Sequence, residues 1–272
     1  MSEWIGTKDA MRLLGVGSTT IKRWADADKL PFIRTAGGHR RFRRSAVEQL
    51  LRSRHGEQAD TAAAYRWVRW LRTRDAAFIN TEIAALRSEL GDWFRVADFL
   101  GVVATEIGEC WADAEFSMVD ERIASARLEL ALATVSGEMR VTEDAPVCLL
   151  ATLEGERHSL GLWLTRLCLS SAGFDTQWAG VDLPVAAVVE HIRDPETSLD
   201  VVALSASRWM SDYATLRRGY RDIAAACRER NIVLVIGGRG AWPHDLDYGH
   251  RCHSFEELEQ KLSDIEAAAP QP

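Results

Sequence analysis

The 272-residue sequence predicts a multidomain protein of α and α/β class, with a small helix-and-hairpin head, a helical bundle and a five-stranded parallel α/β unit. Charge is the first observation behind this. Residues 1–56 hold 12 Lys/Arg against 5 Asp/Glu, a net of +7, whereas the remainder holds 21 against 35, a net of −14. The second is a stretch from Thr61 to about Arg140 that contains no Pro and little Gly, with apolar residues at helical spacing. The third is the pattern from Ala145 onward, where short apolar runs alternate with longer amphipathic segments. The expected domains are residues 1–56, 61–142 and 145–272.

The head comes first. Ile5, Ala10, Leu13 and Leu14 form an apolar stripe on a helix starting near Thr7, a good N-cap. Gly15-Val16-Gly17 breaks that helix, and Ser18 caps a second one running roughly from Thr19 to Asp28. Ile21 and Trp24 face inward on it, leaving Thr19, Thr20, Lys22 and Arg23 outward. Two helices joined by a Gly-containing turn, with a polar and basic outer face, make a helix-turn-helix pattern. Two extended stretches then flank Gly37-Gly38, with Arg34, His39, Arg40 and Arg41 at the tip of the hairpin. A final helix, about Ser45 to Arg54, closes the unit with Val47, Leu50 and Leu51, and the polar run His55–Asp60 reads as a short linker.

The run from Val16 through Gly37-Gly38-His39-Arg40-Arg41-Phe42 resembles the winged helix-turn-helix of the MerR and excisionase group. The resemblance implies double-stranded operator DNA as partner. Base readout would fall to Thr19, Thr20 and Arg23, and backbone contacts to Lys22, Arg34, His39, Arg40 and Arg41. One such head has a small footprint, which implies a homo-oligomer, a dimer or tetramer.

In the middle, three apolar sets define the helices: Tyr65, Val68, Leu71, Phe78, Ile79, Ile83 and Leu86; then Phe94, Ala97, Leu100, Val103 and Ile107; then Ile123, Ala126, Leu130 and Ala133. Three or four helices packed as a bundle is the economical arrangement. In the tail, strands are expected at Val147–Thr152, Asp175–Ala179, Asp200–Ser205, Ile232–Gly237 and Tyr248–His253. The helices between and after them are expected at Ser159–Ala172, Pro184–Arg193, Asp212–Arg230 and Phe255–Ala268. This is a flavodoxin-like (Rossmann-type) order of elements, and a ligand is expected beyond the C-terminal strand ends.

Three strand ends carry distinctive residues: Glu154-Gly155-Glu156-Arg157-His158-Ser159-Leu160-Gly161, then Ser205-Ala206-Ser207, then Gly237-Gly238. Together they resemble the cobalamin-binding domain, whose pattern is Asp-x-His-x-x-Gly, Ser-x-Leu and Gly-Gly. The resemblance implies that His158 ligates cobalt from below, with Glu156 standing where that pattern has Asp and Ser207 where it has Leu. Gly161, Ser205, Gly237 and Gly238 would surround the displaced dimethylbenzimidazole tail. Upstream, Trp111 is separated by nine residues from Glu121-Arg122, a spacing similar to the capping segment of helical domains that precede cobalamin-binding domains, where Glu-His follows the Trp.

A winged head, a helical cap and a cobalamin-type domain in this order resemble the CarH/LitR family of light-responsive transcriptional regulators. The resemblance implies adenosylcobalamin as cofactor, with Trp111 against the upper-face group, Glu121 on the ribose, and light-controlled oligomerisation and operator binding. Two departures stand out: Arg122 stands where the capping segment has His, and Ala112 where light-sensing members often carry a further His. A cation at Arg122 and a Trp-rich α/β unit (Trp163, Trp178, Trp209 and Trp242) would suit the propionates and rings of a second tetrapyrrole such as biliverdin. Light-independent sensing of cobalamin or haem, and a tail that has lost its ligand, are the other readings.

Other classes are disfavoured. No GxGxxG and no Lys-Ser/Thr phosphate loop follows the first strand of the tail, against a nucleotide or flavin site there. No residues remain for the substrate barrel of a radical mutase, so the expectation is no enzyme. Five Cys form no CxxC pair, no apolar run approaches the roughly 20 residues of a membrane span, and the N-terminus lacks signal-peptide features. A soluble cytoplasmic protein with no membrane partner is expected.

Overall fold

The computed structural model describes residues 4–14, 17–26, 30–35, 38–210 and 212–268, without the side chains of 14, 23, 26, 48–61 and 264–268. The chain divides into two compact units, Met1–Ala63 and Ala64–Pro272.

The first unit begins with a strand that local sequence does not announce. β1 (Trp4–Gly6) precedes α1 (Thr7–Leu14), so Ile5 lies on a strand and not on the helical stripe expected for it. α2 (Ser18–Asp26) follows, then β2 (Phe32–Arg34) and β3 (Arg40–Arg43). The sheet is antiparallel with order β1-β3-β2, Ile5 and Phe32 both pairing with Phe42. Phe42 packs with Ile5, Ala10, Ile21, Ala25, Leu30 and Val47 in one small core.

α3 runs from Arg44 to Thr73 without interruption. The expected linker His55–Asp60 therefore lies within a helix. It contains no Pro, and a lone Gly costs a helix only about 1 kcal/mol, which polarity alone does not reveal.

In the second unit the C-terminal part of α3 joins α4 (Ala76–Leu90), α5 (Trp93–Ala112) and α6 (Met118–Gly137). Asp75 and Asp92 cap α4 and α5, and Ser117 with Asp120 makes a reciprocal capping box on α6. Val68, Leu71, Ile79, Ile83, Leu100, Val103 and Ile107 are buried as their spacing predicts, while Tyr65 is exposed. On α6 the expected stripe is the wrong one. Ile123, Ala126 and Leu130 face outward, Leu130 being 58% exposed, and Ala124, Leu128, Ala131 and Leu132 form the buried face. The helix carries apolar residues on both sides, so periodicity cannot choose between them.

The α/β elements follow as β4 (Val147–Leu153), α7 (Leu160–Ser171), β5 (Asp175–Leu183), α8 (Val185–Arg193), β6 (Val201–Ser205), α9 (Tyr213–Arg230), β7 (Val233–Gly237), β8 (His250–Cys252) and α10 (Phe255–Ala268). The five strands are parallel in the order β5-β4-β6-β7-β8, the flavodoxin-like arrangement. One face of the sheet shares a continuous core with α7, α10 and the bundle, and the other packs on α8 and α9. Asp98 of α5 accepts hydrogen bonds from Phe255 N (2.8 Å) and Glu256 N (3.2 Å), fastening the start of α10 to the bundle. Among the described residues no helix is long and apolar enough to cross a membrane.

Candidate functional site

Strand order reverses at β4, whose neighbours are β5 on one side and β6 on the other, and open parallel sheets bind ligands beyond the strand ends at such a point. The turn leaving β4 is shaped by Gly155 (φ +87°), by Thr152 Oγ1 donating to Glu156 O (2.6 Å) and by Gly155 N donating to Asp182 Oδ1 (2.7 Å). These bonds aim the Glu156 carboxylate into the protein.

Glu156 is only 1% exposed, yet its carboxylate is well supplied with donors. Oε1 accepts from His158 N (2.8 Å) and lies 2.6 Å from His158 Nδ1, and Oε2 accepts from Ser207 N (2.6 Å). Burial pushes the Glu156 pKa up, but the hydrogen bonds from His158 and Ser207 outweigh it and hold the carboxyl below its ordinary value. The His158 pKa is raised, chiefly by its hydrogen bond to Glu156 and against the opposing effect of burial. Glu121 adds to that rise and Arg122 opposes it, so both cap residues act electrostatically on the imidazole.

The consequence is a defined tautomer. A proton on Nδ1 shared with a buried carboxylate leaves the Nε2 lone pair as the free ligating position. The His158 side chain is 57% exposed, whereas Glu156 beneath it is buried. Ser207 Oγ sits 3.1 Å from Nδ1 and accepts from Trp209 N (3.3 Å), which places Ser207 inside the network. Among the described residues no three His, Cys, Asp or Glu converge as an ion held by protein alone would need.

Around this cluster lies a close-fitting floor. A Cβ on Gly161 would stand 2.8 Å from Ser205 Oγ, so a larger residue there would push that side chain or α7 aside. Gly238 has φ +83°, and a Cβ there would stand 2.2 Å from the Ala206 carbonyl oxygen. Gly237 is less demanding, its nearest neighbour being Cys252 O at 3.9 Å.

The cap side is built from the end of α5 and the start of α6. Ala114 (φ +59°) turns the chain, and Phe116 is buried beneath the Arg72 guanidinium, 4.6 Å from its ring centroid. Trp111 remains exposed at the end of α5 and meets Trp209 edge-on at 6.3 Å. Arg208 lies over Trp209 (4.6 Å) and is ion-paired with Glu109. Glu121 accepts from Ser125 Oγ (2.9 Å) and pairs with the exposed Arg122 (3.5 Å). The structure thus gathers Glu156, His158 and Ser207 in one network, with Gly161 and Ser205 in contact beside it. The other tryptophans have structural partners: Trp163 stacks on Trp178 (4.1 Å), and Trp242 donates to Gly237 O (2.8 Å). Glu109 and Arg208 were not foreseen, since an ion pair across 99 positions leaves no local signal.

On the head, Thr19 and Lys22 are exposed and Thr20 is half-buried, while the Arg23 side chain and Gly37 lie outside the described residues. Arg34, His39 and Arg41 are exposed on the hairpin. Arg40 differs: it lies over Phe32 (4.7 Å) and donates to Lys22 O (3.3 Å), bracing the hairpin against α2.

Residues 4–55 match the family of helix-turn-helix domains. The chain is also similar to corrinoid proteins. It is 32% identical over 94 residues to Dimethylamine corrinoid protein 1 of Methanosarcina acetivorans, covering 33% of this chain and 41% of that protein. It is 29% identical over 104 residues to Dimethylamine corrinoid protein 2 of the same organism, covering 37% and 45%. The chain thus spans less than half the length of these curated relatives. Its fold matches the Methanosarcina barkeri monomethylamine corrinoid protein with a TM-score of 0.55 at 16% identity, over 74% of this chain and 96% of that one.

Proposed function

We propose that this chain is a cobalamin-dependent, light-responsive transcriptional regulator, in which the tetrapyrrole state controls oligomerisation and operator binding. The observation that carries this reading is one chain bearing a helix-turn-helix head together with a His158 whose Nδ1 is held by buried Glu156. The residues fit a corrin on two structural grounds. His158 is a half-exposed imidazole whose Nδ1 is bonded to Glu156, which leaves Nε2 for a metal, and Gly161 brings α7 close to Ser205 at the end of β6. The similarity to corrinoid proteins supports the same assignment.

In this reading His158 would ligate cobalt, with Glu156 fixing its tautomer and raising its basicity. Ser207 steadies both. Ser205, Gly161, Gly237 and Gly238 would receive the cofactor's nucleotide tail, Trp111 would pack against the corrin and Glu121 would accept from the ribose. Adenosylcobalamin, when bound, supplies a cobalt–carbon bond that light breaks. The head binds double-stranded operator DNA through Thr19, Thr20 and Arg23 on base edges and Lys22, Arg34, His39, Arg40 and Arg41 on the backbone. Two or more heads act together in a MerR-type homo-oligomer, in the cytoplasm, and the chain regulates without catalysing. A second reading, that biliverdin joins cobalamin, is favoured by exposed Arg122 and by Trp209, which is 50% exposed.

The test is an absorption spectrum of protein expressed with cobalamin and with biliverdin, before and after illumination, with size-exclusion chromatography of both states. A corrin band that changes with light alongside oligomer size, and is lost in His158→Ala, supports the first reading. A long-wavelength band that needs biliverdin supports the second. Colourless protein with light-independent oligomers overturns both.

A further inference from the structure

A cleft of about 680 Å³ opens along the first half of α9, facing the segment Pro243–Asp247 that leads from β7 to β8. It shares no residue with the His158 network. Its wall is formed by Tyr213, Arg217, Arg218 and Arg221, opposite Pro243 and Asp245. α9 carries five arginines, and the fold uses those at its C-terminal end. Arg228 donates to Asp247 O (2.8 Å), and Arg230 donates to the carbonyls of Ile192, Asp194 and Thr197. Arg221 leans on its neighbour Asp222 (3.2 Å). Arg217 and Arg218 have no hydrogen-bond or ion-pair partner among the described residues; Arg218 only draws Asp212 from a distance. Arg221 stands three and four positions after Arg218 and Arg217, spacings that make neighbours on a helix surface, and all three line a cavity in a part of the chain with a net charge of −14.

The other wall residues define the ligand further. Tyr213 is 44% exposed and, with Pro243, offers a flat apolar surface. Asp245 would repel a bare phosphate but suits a hydroxyl or amino donor. We propose that this cleft binds a nucleotide, with Arg217, Arg218 and Arg221 on its phosphates, Tyr213 on its base and Asp245 on a ribose hydroxyl or base amine. The cavity is of the size that small-molecule sites occupy, about 300–1,000 Å³. Recognition rests on guanidiniums, so no glycine-rich phosphate loop is needed.

Isothermal titration calorimetry of the full chain with ATP and with inorganic pyrophosphate tests this. Saturable ATP binding below about 1 mM is expected, weakened about tenfold or more by the double variant Arg217→Glu/Arg218→Glu. Tyr213→Ala should weaken ATP but leave pyrophosphate unchanged. These side chains lie on the surface, so circular dichroism and duplex-DNA binding of the variants should match the parent. No saturation in that range, or ATP binding indifferent to the double variant, overturns the proposal. Pyrophosphate binding as tightly as ATP overturns the nucleotide assignment, and loss of DNA affinity in the double variant without ATP binding replaces it with a nucleic-acid contact.

Discussion

Arg208 and Glu109 form an ion pair that ties the loop after β6 to the last turn of α5. Arg208 follows Ser207, whose backbone N–H holds Glu156, and precedes Trp209, which meets Trp111. Three consecutive residues therefore connect the His158 network to the cap.

That connection makes the first prediction. Both side chains of the pair are about a third or more exposed, so the pair is worth at most about 1 kcal/mol to folding after solvent screening. Arg208→Ala should leave the unfolding midpoint nearly unchanged. It should weaken cobalamin binding several-fold by releasing Trp209 from Trp111, and a double-mutant cycle with Glu109→Gln should show the two effects to be non-additive. Additive effects would disconnect the loop from the cap.

Glu156→Gln removes the charge but keeps the shape. Loss of a carboxylate partner to a metal-ligating histidine typically costs about 10–100-fold in affinity, and that loss is expected in cobalamin titrations. Glu156→Leu should also destabilise the apo protein, because the part-buried N–H groups of His158 and Ser207 lose their acceptor.

The pH dependence has two signs. His158 titrates above its ordinary 6.5, and a proton on Nε2 competes with cobalt. Ligation should therefore fail as pH drops through that raised pKa, at a higher pH than for an unpartnered imidazole, and Glu156→Gln should move the midpoint down. Apo stability behaves oppositely for the same histidine: its contribution is fully present below 6.5 and lost as pH rises through the folded value. Glu156, whose pKa is lowered from 4.5, contributes above that value and loses its contribution as pH falls through the folded one. Denaturant melts across pH read both limbs.

Gly161→Ala should cost about 1–3 kcal/mol through overpacking, since the new methyl meets Ser205 Oγ. Adding Ser205→Ala removes that oxygen and should restore most of the loss in a urea melt. No rescue would mean that the clash lies with the backbone. Gly238→Ala has no such escape, because it meets a carbonyl oxygen at positive φ.

On the head, Arg41→Ala and Arg34→Ala should each lower DNA affinity across all sequences and reduce the slope of log affinity against log salt by about one. Arg40→Ala should also lower the melting temperature of the head, because Arg40 braces the hairpin against α2.

Much of this architecture is local in origin. The alternation of apolar runs and amphipathic segments sufficed for every strand and helix of the α/β unit to within a few residues, because period and chain punctuation act over neighbouring positions. Glu156 and His158 are two residues apart, so their pairing was already visible in the turn that carries them. Tertiary structure decided the rest. It chose the buried face of α6, which offers apolar residues on both sides, and it made a strand of Trp4–Gly6 by pairing it with β3. It also drew Arg208 to Glu109 and left Arg217 and Arg218 facing a cleft. The physical reason is common to all four. Local sequence sets the backbone's preferences, but which face is buried and which charges meet depends on surfaces brought together from distant parts of the chain.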